Sequence, residues 1–274
     1  MQLPRRFIFR GQASGVAAHI LRPVDRQLPV QAASSLPVIG GLSESKVGPG
    51  RLQRYVSFLS AATSAAGNFQ DAKQAVAITN GELAPDAAPT ETTVTARVRR
   101  IEVLQRLSIG LAEARIVARS PEPGAQPSIH PNGNKIERVK VDASRLKITL
   151  AESLYCEHGT KQQLAEAYAK GLPERHARLF FGTGAKARST RLPESNGLVY
   201  CTLVESMEWV GKPHPTATID GHVLTIPDFG KVYFGEMFIS DFSRRLTLVR
   251  IDLGSPAGGF MAMAEVETNG SFWP

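Results

Sequence analysis

The sequence predicts a mainly β protein, an antiparallel β-sandwich or barrel with one helical insert near 160–181 and an extended N-terminal arm. Three observations carry that prediction. From Pro215 to Gly270, apolar runs with period-two alternation are cut by Asp220-Gly221, Pro227-Asp228-Phe229-Gly230, Ser240-Asp241 and Gly254-Ser255-Pro256, the pattern of a β-meander. Thr92 to Arg119 repeats the alternation over two long segments. Most other connections have hairpin length, which suits a sandwich or barrel.

Residues 1–50 contain five prolines and six glycines with only short apolar runs, so they read as an arm that wraps over or between bodies. Within them Leu36-Pro37-Val38-Ile39-Gly40-Gly41 suits one edge strand at most. Residues 51–274 read as a single β-rich domain. Val56, Phe58 and Ser60 suit a strand that stops at Gly67-Asn68, and Asn80-Gly81 marks a turn-rich connection. Val94, Ala96 and Val98 alternate with polar residues, and the parity slips at Arg99-Arg100 before Ile101 and Val103, as a β-bulge would require. Val139 to Val141 and Leu146 to Leu150 form a hairpin after the loop at 120–135. Thr160 and Gln163 have capping-box spacing, and Gly171 followed by Pro173 ends the helix that they open. Leu198 to Val210 is a strand that leads to the meander.

The composition is that of a folded, soluble chain, with 42% hydrophobic and 21% charged residues. No apolar run reaches the roughly 18 residues of a transmembrane helix. The net charge of +7 is concentrated: residues 1–60 hold eight basic side chains against Asp25 and Glu44, while the other 214 residues hold 24 against 23. That asymmetry points to an acidic partner, nucleic acid or an anionic surface, with Arg5, Arg6, Arg10, Arg97, Arg99 and Arg100 as the contact residues and Arg106 beside them. Arg5-Arg6-Phe7-Ile8-Phe9-Arg10 is twin-arginine-like, but Gly11 to Leu21 is weakly hydrophobic and no A-x-A site follows. The chain therefore reads as cytoplasmic, with export through that N-terminus as the alternative. Cys156 and Cys201 match no disulfide, zinc or redox spacing.

The candidates for catalysis are Glu205 and Glu236, each the one charged residue on an apolar strand face. Such a carboxyl is desolvated, which raises its pKa and suits a general acid, and two of them could serve a sandwich-type hydrolase. Arg250, one hairpin away, is a structural partner for Glu236. Cys156-Glu157-His158 places a thiol beside an imidazole if the segment is extended, without the further ligands of a metal site. Gly182-Thr183-Gly184-Ala185-Lys186 lacks the helix of a phosphate loop. No cofactor or catalytic signature is present. The leading reading is a non-enzymatic β-structured binding or self-assembly protein, a homo-oligomer in which the arm makes the subunit or partner contacts.

Overall fold

In the computed structural model, which describes residues 6–69, 90–120, 126–181 and 191–273, the period-two pattern becomes two antiparallel sheets packed face to face. The strands are β1 (Arg6–Arg22), β2 (Arg26–Ser35), β3 (Gly41–Val47), β4 (Gly50–Leu52), β5 (Val56–Phe58), β6 (Ser60–Phe69), β7 (Thr90–Val103) and β8 (Leu107–Ser120). They continue with β9 (Ser128–His130), β10 (Lys135–Glu137), β11 (Val139–Val141), β12 (Ser144–Leu150), β13 (Phe180–Phe181) and β14 (Val199–Thr202). The last are β15 (Val204–Val210), β16 (Thr218–Asp220), β17 (Val223–Ile226), β18 (Gly230–Ile239), β19 (Ser243–Leu253) and β20 (Gly258–Trp273). Sheet I runs β13-β14-β18-β19-β20-β1-β2, with β17 also on β18 and β16 on β17. Sheet II runs β15-β12-β11-β8-β7-β5-β4, with β6 on β7, β3 on β6, and β9 and β10 on β8. The predicted meander is β16 to β20, each paired with the next.

Residues 6–50 do not form the expected arm. β1 lies inside sheet I between β20 and β2, and Phe7, Phe9, Val16 and Ile20 are buried in the core between the sheets. Beyond β2 the chain stays on β1, where Leu36 N–H donates to the Gly11 carbonyl and Phe9 N–H to the Val38 carbonyl. The strand was hidden because Gly11 stands at an inward position and the parity changes at Gly15.

That change of parity is the organising feature of both sheets. The slip expected at Arg99-Arg100 is present, since β7 buries Val94, Ala96 and Val98, then Ile101 and Val103. It is not a bulge in one strand. Arg99 stays opposite Leu111 and Ile101 opposite Ile109, because β8 slips at Gly110-Leu111 as well. Leu59-Ser60 and Glu137-Arg138 do the same in the neighbouring strands, so sheet II gains a row of outward residues. Sheet I gains an inward row: Gly15-Val16, Gln31-Ala32, Phe234-Gly235, Leu248-Val249 and Met263-Ala264. Alternate strands take the step with positive φ, at Ala32 (56°), Ala264 (51°) and Gly235 (64°) in sheet I and at Arg100 (50°) and Arg138 (56°) in sheet II.

A longer inner face of sheet I and a longer outer face of sheet II bend the two sheets in the same sense. The outer face of sheet I is thus the hollow one, and it carries cavities of about 550 and 410 Å³ on either side of the crease.

The helical insert is α1 (Glu152–Glu157), α2 (Lys161–Gly171) and α3 (Glu174–Ala177). α2 has the predicted capping box, in which Gln163 N–H donates to Thr160 Oγ1 and Thr160 N–H to Gln163 Oε1. α1 was not predicted, and it removes the extended geometry proposed for Cys156-Glu157-His158. Arg244 of β19, 1% exposed, ties this insert to sheet I. Its guanidinium donates to the carbonyls of Tyr155 (3.3 Å), His158 (2.8 Å) and Gly159 (2.9 Å). These are the unpaired acceptors at the end of α1, which suit a cation. Burial brings the Arg244 pKa down to about 10, so it remains charged at neutral pH. Among the described residues no helix is long and apolar enough to cross a membrane.

The crease predicts its own test. A Cβ on Gly15 would stand 2.4 Å from the Gln31 carbonyl oxygen and 2.9 Å from Ala61 Cβ of the facing sheet. Gly15→Ala should therefore cost about 2 kcal/mol or more in urea unfolding. Gly48→Ala, where nothing lies within 4 Å, should cost a small fraction of that. Equal midpoints would show that the sheets do not need the close approach.

Candidate functional site

β18 crosses the crease between Phe234 and Gly235, and the step turns Glu236 to the outer side with Tyr233, where regular alternation would put them on opposite faces. The register then sets Glu236 between Thr202 and Thr247, one step from Tyr200, and Tyr233 opposite Arg250. The Glu236 side chain is 4% exposed. Arg250 Nε donates to its Oε2 (2.6 Å) and Nη2 to its Oε1 (3.0 Å), while the Tyr200 hydroxyl also donates to Oε1. Arg250 Nη1 reaches both oxygens of Asp252, at 2.8 and 2.6 Å, and the guanidinium lies 3.7 Å from the centre of the Tyr233 ring. Phe181 stacks on His222 at 4.6 Å and meets Tyr200 edge-on at 5.0 Å, and Phe238 stacks on Tyr200 at 4.9 Å. His222 Nε2, buried and without a hydrogen-bond partner, is 3.9 Å from Glu236 Oε1.

This environment reverses the expectation of a raised pKa. Burial acts against the Glu236 charge, but His222, Arg250 and Tyr200 together outweigh it and bring the pKa from 4.5 down to about 2. The same contact works on its partners: burial and Glu236 push the Tyr200 hydroxyl up, and the bond to Glu236 raises Arg250. A carboxylate ionised across the physiological range, with both oxygens occupied, does not donate a proton as a general acid does.

Glu205 belongs to the other sheet. The chain leaves sheet I after Thr202 and enters sheet II at Val204, which puts Glu205 on β15. Its carboxylate lies 3.4 Å from Arg175 Nε and 3.6 Å from His176 Nε2 of α3. It lines a cavity of about 710 Å³ together with Arg178, Phe181, Met207, Ile219 and His222. Each glutamate thus has its own cations. His222 stands between the two settings, next to Glu236 and on the cavity wall.

The structure does not gather the predicted basic residues on one surface. Arg5 lies outside the described residues, as does the loop that begins at Gly182, and Arg6 opens β1. Arg10 is exposed on the outer face of sheet I. Arg97, Arg99 and Arg100 point outward from sheet II, on the other side of the sandwich, and Arg97 donates to Glu113 at 2.6 Å. Arg106 is engaged by Asp142, at 3.2 and 2.9 Å, and by the Pro227 carbonyl at 2.7 Å. Among the described residues no three His, Cys, Asp or Glu side chains are placed to hold a metal ion, and Cys156 and Cys201 are free thiols.

One feature escaped the sequence reading. β3 pairs with β6 along its whole length, and no other described strand pairs with its second edge. Leu42 is 64% exposed, and Val38 and Ile39 just before the strand are exposed as well. The signal was short: Ser43-Glu44-Ser45-Lys46 has no apolar alternation to betray a strand.

The model of the family described as Domain of unknown function (DUF8256) matches residues 7–240 of the chain. No curated protein and no solved structure matches it.

The Glu236 network sets an acid limb in stability. The folded-state pKa is depressed, so its contribution is complete above about pH 4.5 and is lost as the pH falls toward about 2. Glu236→Gln should lower the urea midpoint most at neutral pH and converge with the wild type near pH 2. Parallel curves would contradict the assignment. Arg250→Met, which leaves the carboxylate uncompensated, should cost on the order of 3 kcal/mol at pH 7.

Proposed function

The chain belongs to the DUF8256 family, and from that premise we propose that it is a non-enzymatic β-structured protein of binding and self-assembly, which associates through the free edge of β3. The observation that carries this reading is the edge itself. Among the described residues, seven residues of extended backbone pair on one side only, and an unpaired edge is a template for another strand. Its residues complement a second copy. In an antiparallel pair centred on Ser45, Glu44 of each copy stands opposite Lys46 of the other, two cross-strand pairs worth about 0.2–1 kcal/mol each. Within one chain the same two groups are 3.8 Å apart and largely exposed. The exposed Val38, Ile39 and Leu42 add apolar surface at the same edge. The N-terminal region keeps the contact role read from the sequence, as part of a sheet rather than as an arm. The hydrolase reading loses its support, because Glu236 is held ionised by Arg250 and Tyr200 and Glu205 has separate partners.

Light scattering on the purified chain should give twice the chain mass. Lys46→Glu should weaken the dimer by about tenfold through two like-charge pairs. The double exchange Glu44→Lys with Lys46→Glu should restore it, since the pairs are merely reversed. A wild type that is monomeric at every concentration, or a double variant no better than the single one, would refute this assembly.

A further inference from the structure

We propose that the outer face of sheet II binds the phosphate backbone of double-stranded nucleic acid, through Arg99, Arg100, Arg138, Lys140 and Arg145. The reading is independent of the β3 edge. It begins with the outward row that the crease adds. Arg100 and Arg138 stand on either side of Gly110, two strand spacings or roughly 10 Å apart. Gly110 supplies no side chain between them, and Arg138 uses the space, for a Cβ there would be 2.4 Å from its Nε. Both arginines hold positive φ, a conformation that arginine rarely adopts.

The next outward positions reinforce the charge. In the hairpin of β11 and β12, Lys140 stands directly opposite Arg145, a like-charge pair that destabilises a sheet. Arg99, Arg100, Lys140 and Arg145 are all exposed and form no ion pair among the described residues. Glu137, 3.6 Å from Arg138, Glu102, in the row of Lys140 and Ser108, and Glu208, opposite Lys147 and diagonal to Arg145, are nearby acids. On sheet I, by contrast, Arg250 is matched by Glu236 and Asp252 and Arg245 by Glu265.

Three arginines and one lysine without an ion pair among the described residues, with Arg138 beside them, on an outward-bending face suit a polyanion. Arginine forks match phosphate oxygens, and a duplex presents one charge per about 1.7 Å of its axis. A single strand is held by stacking on aromatic rings, and the exposed phenylalanines Phe238, Phe242 and Phe260 all lie on β18, β20 or the turn after β18, in sheet I. A lipid surface calls for inserted apolar side chains, of which this row has Leu59.

The test is fluorescence anisotropy of the full chain with labelled 20-base-pair DNA and RNA duplexes of unrelated sequences, from 50 to 200 mM salt. Binding should be indifferent to sequence, with a log–log salt slope of about −3 to −5 for that number of phosphate contacts. The exposed pair Lys140→Gln with Arg145→Gln should weaken binding at least tenfold and reduce the slope by about 2. Arg10→Gln, on the opposite face, should change nothing. Arg99→Gln provides a second variant should the pair fail to fold, as judged by its melting curve, and should weaken binding and reduce the slope by about 1. Absence of duplex binding at 50 mM salt, unchanged affinity in the variants, or tighter binding to single strands or to phosphatidylserine vesicles would each overturn the proposal.

Discussion

Everything distinctive about this sandwich depends on one constraint, that every long strand must change sides at the same level. A single bulged strand would shift its pairing by one residue and turn its apolar set outward. When all neighbours slip together the ladders keep their frame, as between Glu236 and Thr247 on one side of the step and Phe234 and Val249 on the other. The cost is concentrated in alternate strands that accept positive φ, and the sequence supplies glycine or alanine at those places in sheet I. Sheet II uses arginines instead, where the extra row faces solvent and a long side chain meets no core.

The crease also explains why a glutamate is tolerated where the sequence shows only apolar neighbours. With regular alternation Glu236 would share a face with Val232 and Phe234, toward the core. The step at Gly235 turns it outward, within reach of Arg250 and Tyr200, so the ion pair is a product of the backbone geometry. The ladder from His222 through Glu236 and Arg250 to Asp252 then ties the turn before β17 to β18 and β19. Arg244 does the corresponding work on the inner side, with backbone carbonyls in place of a carboxylate.

The sequence made the fold class, the meander and the capped helix legible, because each is written in local terms: turn residues, alternation and a capping box. It hid β1, whose inward positions include glycines and whose parity changes midway, and so an interior strand looked like an arm. The slip at Arg99-Arg100 was visible, but its meaning was not, since a coordinated crease differs from a bulge only in what the partner strands do. Glu236 stood out in the sequence as the charged residue of an apolar strand face, but the direction of its pKa did not, because desolvation can be read from apolar neighbours whereas a bidentate guanidinium depends on register. Lys140 opposite Arg145 was readable from the hairpin and had no evident purpose until Arg100 and Arg138 came to lie beside it.

The edge and the charged face are geometrically linked. An antiparallel β3 pair has its two-fold axis normal to the sheet, so both copies of sheet II present the same face to the same side. The two basic rows would then form one surface, separated by β3, β6 and their mates. Each copy taken alone offers five cations, few for a polyelectrolyte at physiological salt. A dimer doubles the contacts without new chemistry, and the second copy binds at the effective concentration set by the first. Assembly would therefore strengthen duplex binding most for ligands long enough to cross the dimer axis, while short duplexes would be bound as by the single chain.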